Sequence, residues 1–384
     1  MIAGHYWGGW SFQLASRNDS DSSLRFACRT AASGDTLVPC PLNDNTTPAT
    51  VQGVWQEARG GSITQGSGFF VENIKEELDV PGEWYHDPTE GTHGTLYLIP
   101  PLDQATGRYM IGLQIPPNPA LELVATVHKR AVTIIGNSTM PVRNFVLANV
   151  TVAHTEATYM DKFEVPSGGD WAIHRGGAVF VDGAHNVEIS GVTFDQVDGS
   201  GVFFSRHVRN SRIQDNSFFV TGETAILLVG SSGKHRTNMA ETVQYPAFNT
   251  IERNLVDTVG VWAKQSAAYF KSITRENVVR SNVFFNGPRS GVNFNDGAMG
   301  GELLEGNLLL NFVRESDDHG PFNSWGSDLL KVDEFCTNND EFCIQNDDVN
   351  ANGQIVSRTF TVSMRQICPH HHMQTAPRSC QYPP

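Results

Sequence analysis

Asp296, Asp317 and Asp318 are the acids whose neighbours suggest work beyond solvation. Asp296 follows GVNFN (291–295) and precedes a glycine, while Asp317 and Asp318 stand beside His319 in SDDHG (316–320). Two carboxyl groups facing each other across a gap can break a glycosidic-type bond. One protonates the leaving oxygen, and the other attacks the carbon or activates water. A gap of about 5–5.5 Å gives retention and one of about 6.5–9.5 Å gives inversion. Asp-Gly and His-Gly are also ordinary turn pairs, because Asp and Gly tolerate left-handed backbone. The fold decides between these readings, by bringing the acids to one face or failing to.

The residues around them suit the same chemistry. In GVNFN, Val292 and Phe294 alternate with Asn293 and Asn295, so a strand would turn both amides away from the apolar pair. Asn293 and Asn295 are then expected to bind hydroxyl groups. Arg289 and Arg314 could hold an acid ionised or bind an anionic group. His319 could orient a carboxylate, and Trp325 could offer a flat stacking surface. Other acids read as background. Asp198 and Glu223 are expected to be solvated turn acids, Glu302 a reserve acid near Asp296, and Glu76, Glu77 and Asp79 one solvated helix face. The run His370, His371, His372 reads as a disordered tail and not as a metal site.

A repeat must position these residues. VRNFVLANVTV (142–152), AHNVEISGVTF (184–194), VRNSRIQDNSF (208–218), AFNTIERNLV (247–256), RENVVRSNVFF (275–285) and GGELLEGNLLL (300–310) share apolar and polar positions around an Asn column. That column reads Asn149, Val192, Asn216, Asn254, Asn282, Asn307. A second apolar strand follows it, as in GVFFS (201–205), AILLV (225–229) and GVNFN. Such strands are too short and too closely spaced for helices or crossover units, and the period points to a solenoid. The expected fold is all-β, a right-handed parallel β-helix with the Asn column as an internal structural ladder. Counting from the column, Gly291 and Ser316 fall at equal steps after Asn282 and Asn307. That count puts Asp318 beside Asn293 one coil on, about 5 Å away, with NDG and DDHG on one outer face.

Outside the repeat, GEWYHDPTEGTHGTLYLIPP (82–101) predicts a hairpin, with Trp84 and Tyr85 as packing residues. NIKEELDVPG just before it predicts one short helix. The expected division is a β-helix domain at 1–325 and an irregular, cysteine-containing tail at 326–384. In the tail, DVNANGQI (348–355) matches the opening of a calcium loop through Asp348, Asn350 and Asn352, but Thr359 stands where a glutamate is required, and an Asn-Gly hairpin is the simpler account.

The net charge is −14, and the sequence shows no basic run, which argues against nucleic acid and anionic membranes as partners. No stretch is long and apolar enough to span a membrane. Six cysteines lie near the two ends, and sequons occur at Asn18, Asn45, Asn137 and Asn149. Together they predict a secreted, disulfide-bonded glycoprotein whose signal peptide is not part of this chain, expected as a monomer.

The stretches VENIKEELDVPGEWYHDPTEGTHGTLYLIPP, RGGAVFVDGAHNVEISGVTFDQVDGSGVFF, GPRSGVNFNDGAMGGELLEGNLLLN and RESDDHGPFNSW resemble the pectin-lyase-like β-helix superfamily. Within it they are most similar to the β-helix glycoside hydrolases that include α-L-fucosidases and xylanases. The resemblance covers about residues 50 to 325. It implies a glycoside hydrolase acting on a polysaccharide or glycan, with Asp296 and Asp318 as the acid pair and Asp317 as substitute. Two alternatives stay open: a polysaccharide lyase or epimerase on uronate polymers, using Arg289 or Lys264, and a non-catalytic glycan-binding β-helix.

Overall fold

The computed structural model describes residues 2–4, 8–10, 14–18, 20, 23–28, 38–39, 71–102, 123–161, 163–166, 171–231, 244–295, 300–316, 320–324, 342–344, 348–349, 355–357 and 360–362. Within them the chain visits three parallel stacks in turn and climbs one strand at each visit. The first stack holds Val132–Ile135, Val179–His185, Val202–Arg209, Ile226–Val229, Tyr269–Ser272, Val292–Phe294 and Phe322–Ser324. The second holds Val146–Ala148, Glu188–Ser190, Arg212–Gln214, Thr250–Glu252, Val278–Arg280 and Leu303–Glu305. The third holds Thr151–Ala153, Thr193–Val197, Ser217–Thr221, Leu255–Asp257, Val283–Phe285 and Leu308–Leu310. This is the parallel β-helix that the repeat predicts.

Alternation fixes which side chains enter the coil. In the second stack Ile189, Ile213, Ile251, Val279 and Leu304 form one buried column, and in the third Phe194, Phe218, Val256, Phe284 and Leu309 form another. Phe194 and Phe218 lie parallel with ring centroids 4.4 Å apart. A slip of one residue would turn each column outward, so burial of one face pins the register.

The Asn column runs inside the bend between the second and third stacks. Asn216, Asn254 and Asn282 each accept from the backbone N–H of the equivalent residue in the coil before, at 2.9–3.1 Å, and Asn307 does so for Asn282 at 3.0 Å. Asn149 is not a rung. It is exposed and left-handed (φ 54°), and it aligns with Gly191, Asp215, Arg253, Ser281 and Gly306, the residue just before the column, all with positive φ. Left-handed backbone suits Asn, Asp and Gly better than branched residues. A second ladder, unforeseen, runs through Ser211, Asn249 and Asn277 to Glu302 at the bend between the first and second stacks. Replacing Asn254 by alanine would strip partners from Asn216, Asn282 and the Ile213 carbonyl. A loss of about 3 kcal/mol in urea unfolding is expected, with the cooperative transition retained.

The fourth coil is long because the chain leaves the stack after Gly230. Ser231 and Gln244 close that excursion with two backbone hydrogen bonds of 2.7 and 3.3 Å. The register resumes at Ala247, which bridges Arg209 and Arg275.

The N-terminal hairpin forms as expected, with Trp84–Asp87 antiparallel to Thr95–Leu98. The short helix beside it is one tight turn, Lys75–Glu77. Trp84, expected to pack, is 62% exposed. At the other end the stacks continue past residue 325, the expected domain limit: Ile355–Ser357 joins the second stack and Phe360–Val362 the third, both parallel. Asp348–Val349 pairs antiparallel with Ile355–Ser357. Asn350 and Asn352 of the calcium-like stretch lie outside the described residues, as do His370, His371 and His372. Among the described residues no helix is long and apolar enough to cross a membrane.

Candidate functional site

The outer face of the first stack changes character along the helix. Phe180, Phe203, Leu227 and Phe270 occupy one outward column, and Trp171, Ile173, Val229 and Ala267 pack with them into an apolar cluster outside the coil. At the next two coils that column becomes Asn293 and then Asn323. Asn323 Nδ2 donates to Asn293 Oδ1 at 2.5 Å. Asn293 is buried, and among the described residues its Nδ2 meets no hydrogen-bond partner. Trp171 packs against Phe270 at 5.7 Å, and the Arg289 guanidinium lies 4.5 Å from the Trp171 ring. Arg289 is fully buried, which makes it a desolvated cation over an aromatic face.

The alternation expected in GVNFN holds. Val292 and Phe294 belong to the interior, Asn293 faces out, and Asn295 follows at the next outward position, almost fully buried. Arg289 and Arg314 sit in connectors of neighbouring coils that bond to each other, Val313 N–H to the Arg289 carbonyl at 2.9 Å and Arg314 N–H to that of Gly287 at 3.4 Å. The structure therefore brings Arg289, Asn293 and Asn295 to one region, with Arg314 carried close by.

The expected place of Asp318 is corrected. Asn293 pairs with Asn323, and Val292 with Phe322. The connector from Leu310 to Phe322 is longer than the preceding one, from Phe285 to Val292, so counting from the Asn column misplaced the acid. Asn311 Nδ2 donates to Asn286 Oδ1 and aligns the start of the two connectors, but the extra residues follow it. Asp317, Asp318 and His319 precede the strand Phe322–Ser324, while Asp296 follows Val292–Phe294. These four residues and Trp325 lie outside the described residues.

Three other acids differ from their expected roles. Glu302 is buried inside the bend, where Thr274 Oγ1, Asn277 N–H and Asn277 Nδ2 donate to it, so it is no reserve acid for the outer face. Glu223 is buried too. Thr158 Oγ1 donates to it at 2.7 Å and Ser200 Oγ at 3.1 Å. Burial raises its pKa above the usual carboxylate range, against the pull of His174 and the two hydroxyls. Asp198 is half-buried, and desolvation raises its pKa as well, opposed by the Trp262 indole N–H at 3.2 Å and by His154. Trp262 in turn stacks on Tyr159, with centroids 5.6 Å apart. Asp198 and Glu223 lie on consecutive coils, since Glu223 N–H donates to the Gly199 carbonyl. Their partners Trp262 and Thr158 are more than sixty residues away in sequence, and no local signal marks them. Lys264, a candidate cation for lyase chemistry, pairs with Glu315 at 3.0 Å.

No protein-family model matches the sequence, and no curated protein matches it. Among solved structures, the chain is similar to one titled "Glycoside hydrolase", with 18% sequence identity and a TM-score of 0.53. The similarity covers 66% of this chain and 47% of that one, so this chain matches about half of that protein's length. At that identity the likeness is one of fold.

Proposed function

We propose that the protein is a secreted, carbohydrate-active glycoside hydrolase that binds a glycan across the polar end of the first stack. The observation that carries this reading is the change from covered aromatics to the Asn293–Asn323 pair, beside buried Arg289 and Trp171. Amides, a guanidinium and an indole are groups that recognise hydroxyl-rich ligands. The glycoside hydrolase title of a structural neighbour supports the same class.

Asp296 and Asp318 are the proposed pair, with Asp317 as substitute for Asp318 and His319 as the group that orients it. In sequence, Asp296 follows Val292–Phe294 and Asp318 precedes Phe322–Ser324, the strand stacked on it. A carboxyl gap of about 5–5.5 Å would give retention and one of about 6.5–9.5 Å inversion. Asn293, Asn295, Arg289, Arg314 and Trp325 are the proposed substrate contacts.

A panel of neutral and acidic polysaccharides incubated with the protein tests this. Reducing ends should appear without absorbance from unsaturated uronate. Unsaturated products would replace hydrolase by lyase. Binding without any product would leave a glycan-binding module.

A further inference from the structure

The chain is strongly acidic, yet its fold assembles a basic stripe that the sequence does not display. Arg143, His185, Arg209, Ala247 and Arg275 are successive partners at the bend that ends the first stack. Their neighbours Val142, Ala184 and Val208 face the core, so the column itself faces out. His207 adds a second imidazole. Its Nε2 lies 3.0 Å from His185 Nε2, while Arg143 Nη1 lies 3.1 Å from His185 Nδ1.

The hydrogen bonds fix the protons. A guanidinium only donates, so His185 Nδ1 accepts and His185 carries its proton on Nε2. That proton is given to His207 Nε2. With one of the two nitrogens protonated and guanidiniums on both sides, the pair is set against a metal cation. Burial and the neighbouring charges of Arg143 and Arg209 lower the His185 pKa, and burial, Arg209 and His185 lower that of His207. No carboxylate bonds to Arg143 or Arg209 among the described residues. Arg209 lies 4.4 Å from the Tyr245 ring, and Arg275 binds the adjacent Glu276. The nearby Arg206 is neutralised by Asp182. The Tyr245 ring and carbonyl hold Arg209, so among the described residues the charges of Arg143 and Arg209 are held by neutral groups and not neutralised by a carboxylate.

We infer that this stripe binds the regularly spaced anionic groups, sulfate or carboxylate, of an acidic glycan. The inference rests on the glycan-directed reading above and names the class of glycan. Arg143, Arg209 and Arg275 recur at every second coil, about 9.5 Å apart, with neutral His185 and then Ala247 between them, which suits a linear polymer better than a single anion. A net charge of −14 opposes nucleic acid, whose backbone would meet the rest of the surface as well.

The full chain should bind dextran sulfate or polygalacturonate, weaken with added salt, and ignore uncharged dextran. The Arg143→Ala/Arg209→Ala double variant, checked for an unchanged thermal midpoint, should bind at least about tenfold more weakly. Affinity should rise as pH falls through the lowered histidine pKa values, because protonation adds positive charge. His185→Gln/His207→Gln should abolish that rise. Preference for dextran sulfate would assign sulfate, and preference for polygalacturonate would assign carboxylate. Equal binding by wild type and the arginine variant, or no binding of either polyanion, would overturn the stripe. Duplex DNA bound as tightly as the acidic glycans would overturn the glycan assignment. Polyanion binding in a protein that releases no reducing ends would support the stripe while refuting the hydrolase reading. Hydrolysis without polyanion binding would do the reverse.

Discussion

Asp318→Ala and Asp296→Ala are each expected to lower kcat by about 10²- to 10⁴-fold on whichever polysaccharide the wild type cleaves, the scale that general acid–base groups contribute. KM should change far less, because neither carboxyl is proposed as a binding anchor. The two losses should not multiply, since the acids act on one bond. Asp317→Ala is the control: if it reproduces the loss while Asp318→Ala does not, Asp317 holds the role. Unchanged circular dichroism and melting would show that the fold is intact. Turnover at wild-type level in the Asp296 variant and in both Asp317 and Asp318 variants would remove the pair. Azide rescue of one variant, with a glycosyl azide as product, would identify the group that attacks the carbon or activates water.

Lys271→Met is expected to cost about 3–5 kcal/mol in urea unfolding, the range seen when one partner of a buried pair is removed. Lys271 shares an interior column with Leu228 and Phe294 and is fully buried, with Nζ 5.3 Å from the Phe294 ring centre. Its charge acts on Glu302, the last rung of the second ladder. Burial raises the Glu302 pKa, and Lys271 leads the groups that oppose this rise. Removing the lysine strands a carboxyl among Thr274, Asn277 and Tyr269. Lys271→Met with Glu302→Gln should recover a large part of the loss, because no uncompensated charge then remains. A single variant as stable as the wild type would show that the two side chains do not support each other.

What could be read from the sequence follows the physics of each feature. The coil was legible because Ile213, Ile251 and Val279 recur at matching positions in a repeat whose Asn rungs mark the bend. Burial and hydrogen bonding both write periodic signals. The hairpin was legible from alternation around turn residues. The position of Asp318 was not, because the connector from Leu310 to Phe322 opens in register through Asn311 and buried Phe312 but is longer than its predecessor. Asn149 was misassigned by a single residue, since both the rung and the left-handed position before it accept asparagine. Glu223 looked like a solvated turn acid, and only the close approach of Thr158 and Ser200 makes it a buried one. The stripe of Arg143, His185 and Arg209 was invisible for a related reason. Arg143, His185 and Arg209 stand in separate segments, Arg209 within RHVRNSR (206–212), and only the winding of the coil sets the three side by side.

The excursion closed by Ser231 and Gln244 has a consequence for how such a chain can change. Its two ends are tied together by their own backbone pair, and the stack resumes its register at Ala247. The rungs on either side, Ser211 and Asn216 before it and Asn249 and Asn254 after it, bond directly to one another across the excursion. The segment can be trimmed, lengthened or exchanged for a foreign module while the ladders above and below stay in step. A lineage could thus acquire new surface at the fourth coil without renegotiating its fold, and an engineer could attach a reporter there on the same terms.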